Sequence, residues 1–455
     1  MGMKNPESIE SSNIELNDQF LKAYKLMEES SRNIFITGKA GTGKSTLLDY
    51  FRGSTQKKVV VLAPTGVAAI NVKGQTIHSF FKFKPDITFG KVKKLKEKKN
   101  EKDNLYRKID TIIIDEISMV RSDLLDCVDK FLRLNGKYAG QPFGGIQMIF
   151  IGDLYQLPPV VTSNEKAIFE GSYKSEYFFD SKVFEGTLLA QSFDLDFIEL
   201  EKIYRQKDED FIGLLGSIRN NTATDEDLEV LNMRHNPAFK PSFDDYYLYL
   251  TTTNKMAAEV NAERLSLLSG ESYYFEGEIT GKFDNKYLPT DIGLNIKVSS
   301  QVMLLNNDPA GRWVNGSIGK VVDIYENDDS ENIVRVELST GKVVEVTLFT
   351  WEVFNFEFDD ASNSLVSRTM GSFTQVPLKL AWAITIHKAQ GKTFEKIIID
   401  IGWGTFAHGQ MYVALSRCTS LDGIVLKKPI QKKHIIMDQR VVDFVTSNKQ
   451  RISII

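Results

Sequence analysis

The run Ile34-Phe35-Ile36-Thr37-Gly38-Lys39-Ala40-Gly41-Thr42-Gly43-Lys44-Ser45-Thr46 is apolar, breaks into glycines and resumes as an amphipathic segment. It predicts a buried strand, a tight turn and a helix. Gly38, Gly43, Lys44 and Ser45 fall at the spacing in which backbone N–H groups cradle phosphates, a lysine reaches the β and γ phosphates and a hydroxyl holds Mg²⁺. Gly38, Gly41, Thr42, Gly43, Lys44, Ser45 and Thr46 are therefore candidate nucleotide ligands. Side chains at the glycines would block the backbone's approach. Alone, the loop implies ATP or GTP and not the work done with it.

The chain has 455 residues, room for about three domains, and its 42% apolar content supplies more than one core. A net charge of −4 argues against coating nucleic acid by bulk charge, so any such contact must be local. Two cysteines far apart, Cys127 and Cys418, exclude a disulfide framework and read as small core residues. No apolar run of membrane-spanning length is visible, and the expectation is a soluble, intracellular protein.

Residues 1–15 are polar and serine-rich, and read as a flexible lead. Asn17 or Asp18 is placed to cap a helix through Phe20, Tyr24 and Met27. Gln19, about twenty residues before the phosphate loop, is either a surface glutamine or an amide paired with the adenine edge. Val59–Ala63 is a second strand, followed by Pro64-Thr65-Gly66. Alternating strands and helices imply a parallel sheet with functional loops at the carboxyl ends of its strands. Next comes Thr76-Ile77-His78-Ser79-Phe80-Phe81, whose phenylalanines suit a core and a base-stacking surface equally. Lys91 to Lys108 carries nine Lys/Arg against three acids and reads as a small projecting insert.

Ile112-Ile113-Ile114-Asp115-Glu116 is an apolar strand ending in two acids. Asp115 is expected to hold Mg²⁺ through water and Glu116 to polarise the attacking water. Gln156, after the strand Gln147–Ile151, is placed to sense a γ-phosphate. A second series of strands and helices begins near residue 193, with Arg205 as a charge-neutralising candidate. Short, alternating strands between about Phe283 and Met370, with a hairpin turn at Ser339-Thr340-Gly341-Lys342, predict a small antiparallel barrel inserted in the second unit.

Gln19, the Gly38–Ser45 loop, Ala63-Pro64-Thr65-Gly66, Asp115-Glu116-Ile117-Ser118-Met119, Gly152-Asp153-Leu154-Tyr155-Gln156-Leu157-Pro158-Pro159-Val160, Tyr204-Arg205-Gln206, Ile386-His387-Lys388-Ala389-Gln390-Gly391 and Val413-Ala414-Leu415-Ser416-Arg417 stand in an order that resembles the motif series of superfamily-one helicases. Pro142-Phe143-Gly144-Gly145-Ile146-Gln147 is similar to the signature region of the PIF-type branch, rather than to its RecD relatives. The resemblance implies an α/β chain with two RecA-like domains: 16–192, with the basic insert at 85–108, and 193–282 plus 371–440. An SH3-like barrel over 283–370 and a tail over 441–455 complete it.

It further implies ATP and Mg²⁺ between the domains, with Gly391 at the nucleotide and Arg205 and Arg417 reaching the γ-phosphate from the second domain. Lys44, Asp115, Glu116 and Gln156 act from the first. Pro64, Thr65, His78 and Phe80, with Thr385, His387 and Lys388, are the implied contacts to single-stranded DNA. The implied activity is ATP-driven 5′-to-3′ translocation and unwinding of duplexes, junctions and structured DNA such as G-quadruplexes. Repair, recombination and telomere maintenance are its settings. A monomer with weak self-association on DNA is expected, cytoplasmic in a bacterium or phage and nuclear or mitochondrial in a eukaryote. An ATP-gated single-strand binder and a subunit of a recombination nuclease are the alternatives.

Overall fold

A computed structural model describes residues 17–95, 104–161, 165, 169, 171–185, 193–285, 288–326, 332–359 and 364–452. The expected lead at 1–15 and the centre of the basic insert lie outside the described residues.

Strands β1 (Asn33–Gly38), β2 (Val59–Ala63), β3 (Gln75–Thr76), β4 (Thr111–Ile114), β5 (Gln147–Ile151) and β6 (Leu195–Leu200) form one sheet in the order β3-β2-β4-β5-β1-β6. Every pairing in it is parallel. Such a sheet needs both faces covered, which is why its strands read as unbroken apolar runs. Ile34 and Ile36 face Phe20, Met27, Leu47 and Phe51 of the two flanking helices, whereas Phe35 faces the core shared with Leu125, Val128 and Phe178. The first helix, Asp18–Glu29, starts where Asn17 accepts a hydrogen bond from the Phe20 N–H at 2.8 Å.

A second sheet opens with β7 (Leu248–Thr251). The chain then leaves it for an antiparallel excursion: β8 (Ser272–Glu276), β9 (Glu278–Gly281), β10 (Gly293–Lys297), β11 (Gln301–Leu304), β12 (Ile318–Glu326), β13 (Asn332–Leu338), β14 (Val343–Val346), β15 (Phe349–Asp359), β16 (Ser364–Gln375) and β17 (Leu378–Leu380). It returns through β18 (Ala383–Thr385), β19 (Ile397–Asp400) and β20 (Ile424–Leu426), giving the parallel order β18-β7-β19-β20. Two parallel α/β units with an antiparallel insertion in the second are thus present as expected. The hairpin predicted at Ser339–Lys342 joins β13 to β14, with Gly341 at φ 82°.

Three expectations are corrected. A boundary at 193 would split the first sheet, because β6 pairs with β1 from Asn33↔Leu195 to Gly38↔Leu200. The insertion runs from Ser272 to Leu380 rather than from 283 to 370; β8 and β9 are largely exposed, so they lack the alternation that reveals a half-buried strand. It holds a five-stranded and a two-stranded sheet around one core that includes Phe275, Ile296, Val302, Trp313 and Val334, and a separate sheet in the order β15-β16-β9. The described flanks of the basic insert are anchored by buried Val92 and by Tyr106, which donates to the Phe80 carbonyl at 2.9 Å, while Lys91, Lys93 and Lys94 are exposed.

The third concerns the C-terminus, where 441–455 was expected to be a tail. The helix Gln439–Ile452 lies against the first unit, burying Val441 and Val445. Phe444 stacks on Phe179 at 4.4 Å between ring centroids and 10° between planes. Tyr177 donates to Asp438 at 3.2 Å beside it. Phe444→Ala should remove about 2 kcal/mol of this docking and speed amide exchange through Gln439–Ile452 by about 30-fold. Unchanged exchange there would show that the ring does not hold the helix.

Candidate functional site

β1 sits where the strand order reverses, with β5 on one side and β6 on the other, and the crevice beyond its carboxyl end is where such sheets bind ligands. A cleft of about 720 Å³ opens there, lined by the Ala40–Thr46 backbone and by Phe20, Asp115, Glu116, Asp153, Gln156, Tyr204, Arg205, Gly391, Thr393 and Arg417. Residues from both parallel sheets therefore meet around one space. Gly41 and Gly43 hold φ near 83° and 84°, which favours glycine, and a Cβ on Gly41 would stand 2.5 Å from the Arg205 Cβ.

Within the loop, Lys44 Nζ donates to the carbonyls of Gly38 at 2.8 Å and Lys39 at 3.0 Å. Burial lowers its pKa. Opposite, β4 delivers Asp115, whose N–H donates to the Leu62 carbonyl at 2.9 Å, and the chain turns through Glu116 at φ 51°. Burial, reinforced by the Glu116 charge, pushes the Asp115 carboxyl up to about 7. Glu116 is also raised by burial, and it accepts from Gln390 Nε2 of the second unit at 3.2 Å. Among the described residues no three His, Cys, Asp or Glu converge as a self-sufficient metal site. One carboxylate and the exposed Ser45 hydroxyl beside a phosphate cradle instead suit Mg²⁺, which takes few protein oxygens and completes its shell with phosphate and water.

Arg417 is 1% exposed, yet its hydrogen-bond partners are all neutral. Nε donates to the Val413 carbonyl at 2.9 Å, Nη2 to Ser416 Oγ at 2.8 Å and Nη1 to the Lys392 carbonyl at 3.4 Å. Burial, with Arg205 nearby, pulls its pKa down to about 9. Arg205 was expected to reach across from the second unit, and the structure corrects this. Its segment leaves β6 and rests on the phosphate loop, with the Tyr204 N–H donating to the Gly41 carbonyl at 2.9 Å. Arg205 Nη1 then crosses to the Ser416 carbonyl at 3.2 Å.

Gln156 lines the cleft and donates to Asp153 at 3.2 Å. Gln19 stands beside the cleft-lining Phe20, and its side-chain oxygen accepts from the Glu201 N–H at 2.9 Å. Sequence reading passed over Phe20 and Tyr204 on the cleft wall, Tyr412 and Arg219. The Tyr412 hydroxyl accepts from the Ala40 N–H at 3.0 Å, tying the second unit to the loop. Arg219 bonds Asp153 at 3.1 Å and lies 3.8 Å over the Tyr155 ring. Nothing local in the sequence marks these two; only the juxtaposition of distant segments does.

The expected DNA contacts divide. Pro64, Thr65 and His78 are partly exposed near the carboxyl ends of β2 and β3, although Thr65 Oγ1 is used to cap the next helix at the Ala68 N–H, 3.2 Å away. His387 and Lys388 follow β18, half-buried and exposed respectively. Phe80 is 2% exposed, edge-on to Phe81, Tyr106 and Phe356, so it cannot stack on a base; it is core. Thr385 is 4% exposed, and its hydroxyl accepts from the Lys388 N–H at 3.3 Å, which turns the loop instead of facing a ligand. Cys127 and Cys418 are free and buried as expected.

The buried Asp115–Glu116 pair supplies a test. A carboxyl whose folded pKa lies above its unfolded value costs stability as pH rises from about 4 to about 7. At pH 8, Asp115→Asn should raise the melting temperature of the ligand-free protein by about 2 °C, and Mg²⁺ should no longer tighten nucleotide binding. Scanning calorimetry at pH 8 and pH 5 checks the sign, since the gain should shrink at the lower pH.

The sequence profile of the PIF1-like helicases matches residues 15–229. The ATP-dependent DNA helicase Pif1 of Bdellovibrio bacteriovorus is 32% identical over 95% of this chain and 92% of its own length. The chain spans 58–61% of the length of the fungal, frog and human relatives it matches. Unliganded Pif1 from Bacteroides sp is 38% identical, covers 96% of this chain and 98% of that one, and superposes with a TM-score of 0.84. Bacteroides Pif1 bound to ssDNA, 37% identical over the same shares, superposes at 0.67. With nearly the whole chain aligned to such relatives in sequence and in structure, it belongs to the PIF1-like helicase family.

Proposed function

We propose that the chain is an ATP-dependent DNA helicase that moves 5′ to 3′ along single-stranded DNA and unwinds duplex. The observation that carries this is Arg417, buried among neutral acceptors at a cleft that holds the phosphate loop, Asp115 and Glu116. A buried cation is costly unless an anion meets it. A γ-phosphate in the cleft is that anion, and it is bound from both units at once. Lys44 exchanges its own loop carbonyls for the β and γ oxygens. Ser45 and Asp115 would hold Mg²⁺, which neutralises phosphate charge. Glu116, kept in place by Gln390, accepts a proton from the attacking water, while Gln156 orients that water and Arg205 adds positive charge.

Loss of the γ-phosphate removes the link between Arg417 and the first unit, so the units part and close once per turnover. DNA lying over the carboxyl-end loops, near Pro64, Thr65 and His78 on one unit and His387 and Lys388 on the other, is then gripped alternately. Crystal structures of Bacteroides Pif1 hold single-stranded DNA and ADP-AlF4, which supports the same ligand classes here. Junctions and G-quadruplex DNA are the structured substrates we assign, with replication, repair, recombination and telomere maintenance as settings and a monomer as the working unit. Among the described residues no helix is long and apolar enough to cross a membrane.

Steady-state ATPase with and without oligonucleotide tests the motor. Strong stimulation is expected, whereas a passive ATP-gated binder would show little. Lys44→Ala should abolish turnover and spare DNA binding. Arg417→Ala should retain nucleotide and lose about 10³-fold in kcat. Strand displacement should require a 5′ tail, and unwinding only from a 3′ tail would sink the direction assigned.

A further inference from the structure

We infer that Trp403 and Phe406, on the loop between β19 and the helix Gln410–Leu415, form a stacking platform for bases of single-stranded DNA next to His387 and Lys388. The inference rests on the DNA-translocating reading above. Trp403 is 105% exposed and Phe406 63%. The chain's other three tryptophans, Trp313, Trp351 and Trp382, are buried. An indole left wholly in water forgoes a large apolar burial, and its use is a ligand face.

The exposure is imposed by an anchored loop. Gly402 N–H donates to Asp400 Oδ1 at 2.9 Å and Gly404 N–H to the Ile401 carbonyl at 2.8 Å. Thr405 Oγ1 donates to the His434 carbonyl at 2.8 Å, and Phe406 N–H to Oε1 of the buried Gln410 at 3.0 Å. The rings are therefore presented without the ordering cost that a free loop would add.

Place and charge select the ligand. The loop leaves the carboxyl end of β19, which β7 separates from β18, whose own exit carries His387 and Lys388. The Phe406 ring lies 6.4 Å from the His387 ring and 16° from parallel to it, so it extends that residue as a stack. Lys428 stands 5.7 Å over the Trp403 ring and donates to the Gly402 carbonyl. Lys428 and the exposed Lys433 both act electrostatically on His434, which lies beside Gly404. Aromatic faces rimmed by cations fit a strand with flat bases and a phosphate backbone; sequence-tolerant stacking is what a translocating protein needs.

Trp403 is the exposed fluorophore among four tryptophans, so titrating the full chain with oligo(dT) reads the contact directly. Intrinsic fluorescence should be quenched, and Trp403→Phe should lose most of the quench while keeping affinity. Trp403→Ala should weaken oligo(dT) binding by about 5- to 100-fold, leave an abasic oligomer bound as before and leave ATPase without DNA unchanged. Unquenched fluorescence with unaltered Trp403→Ala affinity, in a protein whose ATPase DNA still stimulates, would overturn the platform and leave the helicase reading standing. Failure of wild type to bind any oligomer would overturn both. If Trp403→Ala abolishes self-association in sedimentation but not DNA affinity, the patch is a protein contact and the inference falls.

Discussion

Arg417 is a full positive charge taken out of water and given only carbonyls and a hydroxyl in exchange. Neutral acceptors orient a guanidinium but do not repay its desolvation. Two carboxyl groups held above their usual range by burial stand on the other wall of the same cleft. The cleft therefore stores electrostatic cost on both sides, and the magnesium–nucleotide complex proposed above would relieve both, its phosphates meeting the arginine and its cation the acids. Under the function proposed above, turnover would remove the γ-phosphate and restore the cost, turning a chemical event into a force between two folded units.

The rest of the molecule transmits that event. The Arg417 Nη1 contact is to the Lys392 carbonyl, and the Lys392 ammonium donates to Asn315 in the antiparallel insertion. Asn315 in turn donates to Asn71 of the first unit at 3.3 Å. The long β15–β16 hairpin makes a second bridge, setting Phe356 against Phe80 and Phe358 beneath the Lys108 ammonium at 3.6 Å. The insertion thus touches both units and the wall of the nucleotide cleft.

Much of this was legible along the chain. Unbroken apolar runs ending in Gly38, Pro64, Asp115 and Gly152 mark parallel strands and the loops at their carboxyl ends, because both faces of such a sheet are buried. The catalytic candidates are written as contiguous motifs, since one loop supplies several ligands at once. Most of what was misread shares one cause. β6 and the Gln439–Ile452 helix look like any strand and any amphipathic helix, and nothing local says which sheet receives them. Phe80 and Thr385 have the chemistry of DNA contacts but are buried by partners far away in sequence.

The sequence by itself determined the phosphate loop, the paired acids, the arginine that ends Val413–Arg417 and the alternation of strand and helix, because backbone geometry and ligand chemistry act over a few residues. Tertiary structure alone decided that Arg205 belongs to the phosphate loop, that Arg219 secures Asp153, that Tyr412 reaches Ala40 and that Trp403 stands in water. Burial and charge pairing depend on residues from 66 to 372 positions apart in these pairs, and only packing brings those together.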